Sequence, residues 1–199
     1  METNNSLNYN KSNNYHNRNS FRNRISNFFA PFKNPKILAE IAIFTALATV
    51  LSEIIIYVMP QGGSITLASM VPIIWLSLRR GPKVGIVTGT IYGIIQFMLL
   101  PYAINPFQVL FDYPLAFAVL GLAGFFPNKP VLGATVAIAG RFLMHFIAGA
   151  IWWAPVYAPD IDPIIYSSVY NASYLLPELV ISGVALYILQ KSNVLKAYM

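Results

Sequence analysis

The stretch ILAEIAIFTALATVLSEIIIYV, residues 37–58, decides the fold class. Its only charged residues are Glu40 and Glu53, and it is long enough to cross a hydrocarbon layer about 30 Å thick as one helix. Apolar stretches of this kind continue to residue 190, so we predict an all-α integral membrane protein with six transmembrane helices. The predicted spans cover residues 37–58, 66–79, 84–100, 107–126, 131–154 and 164–190.

The second predicted span is shorter than the others. Residues 60–64, PQGGS, precede it and combine helix breakers with small polar side chains. Unwound backbone at membrane depth is tolerated where it lines a cavity, so we expect a re-entrant loop at this point.

Basic residues predict the orientation, because they fall in alternate connections between the spans. The connections at 59–66, 100–106 and 155–163 contain no Lys or Arg. The basic residues at the chain ends and in the other connections are Lys11, Arg18, Arg22, Arg24, Lys33, Lys36, Arg79, Arg80, Lys83, Lys129, Lys191 and Lys196. The positive-inside rule assigns this set to the cytoplasm, so both termini are expected to be cytoplasmic.

Composition supports a protein embedded in lipid. Hydrophobic residues make up 56% of the chain and charged residues 10%, with a mean hydropathy of +0.57, values that exclude an ordinary soluble domain. The net charge of +6 arises largely from residues near the N-terminus that would meet anionic lipid, so it does not indicate nucleic-acid binding. The absence of cysteine excludes thiolate metal sites.

Three regions are predicted along the chain. Residues 1–35 are rich in asparagine and lack apolar periodicity, which is typical of a disordered cytoplasmic tail. Residues 36–191 form the six-helix membrane domain, and residues 192–199 form a short cytoplasmic C-terminus.

Polar residues inside the spans are the candidates for function, because each buried ionisable group costs several kcal/mol unless it is satisfied. Asp112, His145 and Asn171 all lie within roughly 15 Å of the external face at 1.5 Å per helical residue. Aromatic residues surround this layer, and Gly149 is expected to leave room there for a ligand. The combination predicts a pocket for a flat, cationic small molecule with polar edges.

Two ion pairs are also predicted. Arg141 and Glu178 should lie level on adjacent antiparallel helices, beneath the pocket, and form a structural pair. Glu40 follows Lys36 by one helical turn and is expected to pair with it near the cytoplasmic surface.

At this point the residues resemble a known family, the thiamine-specific substrate-binding subunits (S components) of energy-coupling-factor transporters. The resemblance covers about residues 37–190. The motifs that carry it are Gly62-Gly63-Ser64-Ile65-Thr66, Leu78-Arg79-Arg80-Gly81, Asp112-Tyr113-Pro114-Leu115-Ala116, His145-Phe146-Ile147-Ala148-Gly149 with Trp153, and Tyr166-Ser167 with Tyr170-Asn171. It implies the S-component fold in the cell membrane of a prokaryote, and external capture of thiamine without catalysis.

The resemblance also implies a binding site. Carried over by position, its residues are Tyr102, Asp112, Tyr113, His145, Trp153, Tyr166 and Asn171. Trp153 would stack on a heteroaromatic ring, His145 and the tyrosines would enclose the thiazolium, and Asp112, Tyr166 and Asn171 would bind the aminopyrimidine edge. Asp112 stands where the family can carry a longer glutamate, and residues 63–67 lack the tryptophan and glutamate that some members present there.

Energy is expected to come from other subunits. The sequence has no Gly-x-x-x-x-Gly-Lys-Ser/Thr loop, so ATP would be used by two ABC-type ATPase subunits acting with one coupling transmembrane subunit. Ala42 and Ala46 place small side chains four residues apart on the first span, where a partner helix could approach closely. The alternative is that these alanines pack within the chain's own core.

Two other functions remain open from the sequence. A self-sufficient proton-coupled permease for a cationic vitamin or its precursor would use Asp112, His145 and Glu178 as a relay, although the chain shows no inverted repeat. An intramembrane enzyme would need a paired acid and base or a metal cluster, and one His with isolated acids provides neither. No catalytic residue, metal ligand or cofactor is therefore predicted.

Overall fold

A computed structural model describes residue 26 and residues 28–192 and contains two compact units, Met1–Ala39 and Glu40–Met199. In the first unit, residues Ala30–Lys33 form one turn of 3-10 helix. Most of the predicted disordered tail, and residues 193–199 of the predicted C-terminal segment, lie outside the described residues.

Helices account for most of the described chain, and a small hairpin separates the first two. The elements are α1 (Pro35–Ser52), β1 (Ile55–Val58), β2 (Ser64–Thr66), α2 (Val71–Arg80), α3 (Pro82–Leu99), α4 (Pro106–Phe125), α5 (Pro130–Tyr157) and α6 (Pro163–Lys191). Five of these helices begin with proline, which has the helical φ and lacks an N–H that would be unsatisfied there.

Five helices, all except α2, are long and apolar enough to cross a membrane. Helix α2 has ten residues, or about 15 Å of helix, roughly half of a hydrocarbon layer. Its residues Val71–Leu78 are all buried, and it packs against α3, α4, α5 and α6. The described part of the chain is therefore helical, with five span-length helices and one short, buried helix.

The first predicted span ends too late, because residues 55–58 form a strand. Helix α1 stops at Ser52, and β1 pairs antiparallel with β2 through Ile55–Thr66, Tyr57–Ile65 and Val58–Ser64. The β-branched run at 54–56 favours a strand, and Gly62 adopts a φ of +86° in the turn. Residues 60–64, where a re-entrant loop lining a cavity was predicted, form the hairpin turn and the first residue of β2, and residues 61–64 line a cavity.

Close contact between α3 and α4 fixes the position of the polar residues on α4. Gly89 and Gly93 lie one turn apart on α3, and a Cβ atom on either would clash with the main chain of α4 at Phe117 or Tyr113. Only glycine permits this approach, which brings the two backbones into direct contact.

Two wide π-helical turns interrupt α4 and α5. One covers Phe111–Leu115, where Pro114 cannot donate a main-chain hydrogen bond, and the other covers Gly149–Trp153. Such turns often accompany functional sites. Here they contain Asp112 and Trp153, which the two turns bring together.

Candidate functional site

A cavity of about 130 Å³ lies between the hairpin turn, the connection that follows α3, and helices α4, α5 and α6. A cavity of about 10–15 Å³ can hold a single water molecule, so this cavity is large enough for more than one structural water. All seven residues predicted for the site line it, namely Tyr102, Asp112, Tyr113, His145, Trp153, Tyr166 and Asn171.

Asp112 is the centre of the hydrogen-bond network. Its Oδ1 accepts from His145 Nδ1 at 2.8 Å, and its Oδ2 accepts from Gln108 Nε2 and Trp153 Nε1, both at 2.7 Å. An ionised carboxylate has about four acceptor positions, so one position remains for a ligand donor. Two helices thus hold this carboxylate in one orientation.

The tautomer of His145 follows from its two neighbours. Arg141 Nε–H donates to His145 Nε2 at 3.2 Å, so the imidazole proton lies on Nδ1 and points to Asp112. The Arg141 guanidinium also contacts Met70 Sδ at 2.9 Å and lies 4.3 Å from the ring centroid of Phe117. Arg141, His145 and Asp112 therefore form a continuous chain with one positive and one negative end.

The predicted ion pair between Arg141 and Glu178 is wrong. Arg141 faces the cavity, whereas the buried Glu178 carboxylate accepts from the main-chain N–H and the hydroxyl of Thr66. The two residues were paired because they were expected at similar depth, and depth did not indicate that the hairpin would supply the partner of Glu178.

Glu40 pairs with arginines of α2. Its carboxylate receives two hydrogen bonds from Arg80, both at 2.6 Å, and lies 3.5 Å from Arg79. This tertiary ion pair lies at the junction of α2 and α3, where the sequence predicted only the local partner Lys36.

Tyr102 and Tyr113 form the wall beside the hairpin turn. The Tyr113 hydroxyl donates to the Leu100 carbonyl at 2.7 Å and accepts from the Tyr102 N–H at 3.0 Å. The Tyr102 ring lies so close to Gly62 that a Cβ atom there would be 2.7 Å from it. Tyr113 therefore fixes the connection after α3, and Tyr102 is 42% exposed at the cavity wall.

Aromatic rings cover the remaining walls. Trp153 stacks on Tyr157 with ring centroids 5.5 Å apart, and Tyr166 stacks on Tyr170 at 5.9 Å. The Tyr166 hydroxyl is buried and has no hydrogen-bond partner in the described part of the chain. Such a group normally has a partner, so this hydroxyl is available to a ligand.

Asn171 has most of its hydrogen-bonding capacity satisfied by protein. Its amide nitrogen donates to Ser167 and to the His145 carbonyl, and its oxygen accepts from the Tyr174 hydroxyl at 2.9 Å. Gly149 lines the cavity, and a Cβ atom there would clash with Ser167. Here α5 and α6 are in close contact at the wall of the cavity.

Gln108 is the main polar residue that the sequence reasoning omitted. It is fully buried, donates to Asp112, and accepts from the Ile104 N–H at 3.0 Å. Its position one turn before Asp112 was a usable signal, since residues four apart share a helix face.

The arrangement suits the binding of a small molecule. Among the described residues no group of three His, Cys, Asp or Glu side chains could hold a metal ion. A helical membrane protein with a buried carboxylate network, aromatic walls and free polar positions belongs to the class of small-molecule-binding membrane proteins.

The comparisons with known proteins identify the family. The model of the thiamine transporter protein family (Thia_YuaJ) matches residues 38–197, and this chain belongs to that family. The family is one of membrane transporter components of prokaryotes, not of enzymes.

Three similar proteins are named ThiT. The thiamine transporter ThiT of Bacillus subtilis (strain 168) is 35% identical over 172 residues, which is 76% of this chain and 88% of the relative. ThiT of Lacticaseibacillus paracasei is 28% identical over 60% of this chain and 70% of its own length. A solved ThiT structure from Listeria monocytogenes superposes with a TM-score of 0.73 at 26% identity, covering 80% of this chain and 96% of the other.

Proposed function

We propose that this chain binds thiamine at the cavity around Asp112 and serves as the substrate-binding subunit of an energy-coupling-factor importer. The observation that carries the proposal is the pre-formed Asp112 network inside a family of thiamine transporters. Binding from outside would be followed by delivery across the membrane with ATPase and coupling subunits.

The chemistry of thiamine fits the groups that remain free. Its aminopyrimidine carries an amine that could donate to the open acceptor position of Asp112, and ring nitrogens that could accept from the Tyr166 hydroxyl. Its thiazolium cation could lie against the electron-rich faces of Trp153 or Tyr170. Asn171, with its amide bound to protein, would act by holding the His145 main chain.

We propose a six-span topology with both termini in the cytoplasm. The basic residues Arg79, Arg80 and Lys83 lie at the junction of α2 and α3, and Lys129 precedes α5, which supports a cytoplasmic assignment of these ends. Because α2 alone is too short to span, the hairpin and α2 together would supply the second crossing.

Helix α1 is the proposed docking surface for the coupling subunit. Ala42 and Ala46 are exposed, whereas the buried face of α1 is formed by Ile41, Thr45, Ala48 and Ser52. The exposure favours a partner over packing within the chain's own core. Ile43 and Leu47 extend the same exposed apolar surface, which another transmembrane helix could cover.

The permease alternative receives less support from the contacts. Asp112 and His145 are hydrogen-bonded, but Glu178 bonds only to Thr66 in the described part of the chain. A proton relay through all three residues therefore has a gap.

Reconstitution into lipid vesicles tests the proposal. We expect labelled thiamine to enter only when this chain, both ATPase subunits, the coupling subunit and internal ATP–Mg²⁺ are present. Uptake by this chain alone, driven by a proton gradient, would contradict the proposal and favour the permease.

A further inference from the structure

Helix α6 holds the hairpin at two points. The Tyr170 hydroxyl accepts a hydrogen bond from the Gly63 N–H at 3.0 Å. The Glu178 carboxylate accepts from the Thr66 N–H at 2.5 Å and from the Thr66 hydroxyl at 2.6 Å. Eight helical residues cover about 12 Å and three strand residues about 10 Å, so β2 lies along α6 between the two points.

The second point is buried and lies away from the cavity. Glu178 is 2% exposed and Thr66 is 5% exposed, and neither lines the cavity. Because the Thr66 hydroxyl donates to Glu178, Ser69 donates in turn to Thr66 at 2.6 Å. One oxygen of Glu178, Oε1, accepts both bonds from Thr66, and Oε2 has no hydrogen-bond partner among the described residues.

Apart from these bonds, the hairpin packs on the core through Met59 and Ile65. Strand β1 is exposed along its whole length and provides no core packing. The cavity wall includes Gly62, Gly63 and Ser64, which lie two to four residues before Thr66 along the same segment. The geometry of this wall therefore depends on where β2 is fixed.

We propose that Glu178 is a positioning residue for the ligand site, which fixes β2 against α6 and thereby places the hairpin turn on the cavity. It acts through Thr66 and does not touch the ligand. Only the side-chain oxygen that accepts from Thr66 is needed for this role. Glutamine at position 178 has such an oxygen and should therefore preserve the position of β2. The effect on thiamine affinity rests on the function proposed above, whereas the effect on the hairpin does not.

The test compares Glu178→Ala, Glu178→Gln and Thr66→Val with the wild-type chain in detergent. Ser182→Ala is the matched control, because Ser182 lies one turn further along α6, is fully buried, and its hydroxyl has no partner among the described residues. Hydrogen exchange of residues 60–69 is measured without ligand, and thiamine affinity is measured by titration.

We expect Glu178→Ala to speed exchange in 60–69 and weaken thiamine binding, each at least tenfold. Glu178→Gln should remain within about threefold of wild type, and Ser182→Ala should match it. Thr66→Val removes the hydroxyl bond but keeps the main-chain bond, so it should give a smaller change in the same direction. If Glu178→Ala does not fold, Thr66→Val tests whether the bond to Glu178 positions the hairpin.

Wild-type exchange in the folded Thr66 and Glu178 variants would overturn the proposal, as would a Gln variant as impaired as the Ala variant. An equal effect of Ser182→Ala would also overturn it, by showing general disturbance of α6. If the wild-type chain does not bind thiamine, the function proposed above fails, and the exchange data still decide the role of Glu178.

Discussion

Replacing Asp112 by Asn tests the centre of the site, because an amide cannot reproduce the three hydrogen bonds that the carboxylate accepts. If the Asn oxygen faces Gln108 and Trp153, its NH₂ group faces His145 Nδ1–H. The imidazole cannot exchange tautomers without directing a proton at Arg141 Nε–H. If the amide is reversed, its NH₂ group faces two donors.

The expected magnitude follows from the ligand bond that is lost. A hydrogen bond to a charged group contributes about 1.5–3 kcal/mol, so thiamine affinity should fall about 10- to 150-fold. Thermal stability should also fall, because leaving a buried donor unsatisfied costs about 1–3 kcal/mol. Expression should remain nearly normal.

The assay is a titration of the purified variant with thiamine, followed by intrinsic tryptophan fluorescence. Asp162→Asn is the matched control, since Asp162 is an exposed carboxylate that caps the N-terminus of α6 and asparagine is an equally good cap. Unchanged affinity in folded Asp112→Asn would refute the assignment of Asp112 to the site.

Three further predictions concern other parts of the chain. Gln108→Leu should weaken thiamine binding about three- to tenfold in the same titration, because Asp112 loses one of its three donors; wild-type affinity would remove Gln108 from the network. Ala42→Trp or Ala46→Trp should leave affinity within about threefold, less than roughly 0.7 kcal/mol, yet abolish uptake and co-purification with the other subunits; normal uptake would remove α1 from the docking surface. Glu40→Gln should lower the free energy of unfolding by about 1–3 kcal/mol in thermal denaturation, because the bidentate contact with Arg80 is lost; an unchanged melting temperature would show that this pair adds no stability.

The sequence indicated which residues meet, because helix geometry converts sequence distance into depth. Asp112 lies six residues after the start of α4 and His145 lies twelve residues before the end of the antiparallel α5, and the structure joins them by a hydrogen bond. Tyr102 and Trp153, which the aromatic residues of the same layer and the family resemblance both indicated, also line the cavity. The position of a residue along a transmembrane helix can be predicted from sequence, because apolar stretches and flanking charges mark where each helix begins and ends.

The partners of buried polar groups were harder to predict. Arg141 and Glu178 were paired by depth. In the structure Arg141 donates to His145, and Glu178 accepts from Thr66 of the hairpin. A charged side chain can be satisfied by any nearby donor or acceptor, including the main chain of a distant segment. The rotation of each helix about its axis and the position of the hairpin determine which partner is used. Residue spacing predicts neither of them.

The hairpin was missed for a related reason. Residues 54–58 are as apolar as the residues of α1, so hydropathy continues the helix through them. Only their run of β-branched side chains indicates a strand. The pairing with residues 64–66 ends the first helix early and leaves ten residues for α2. The pairing of the two strands thus ends α1 at Ser52, whereas hydropathy alone predicted an end at residue 58.

Calorimetric titration of the purified wild-type chain with thiamine tests the central claim most directly. The account predicts one site per chain, saturable at low ligand concentration, with binding lost or strongly weakened in Asp112→Asn and retained in Asp162→Asn. Absence of saturable binding to the folded wild-type chain, or equal binding to Asp112→Asn, would contradict it.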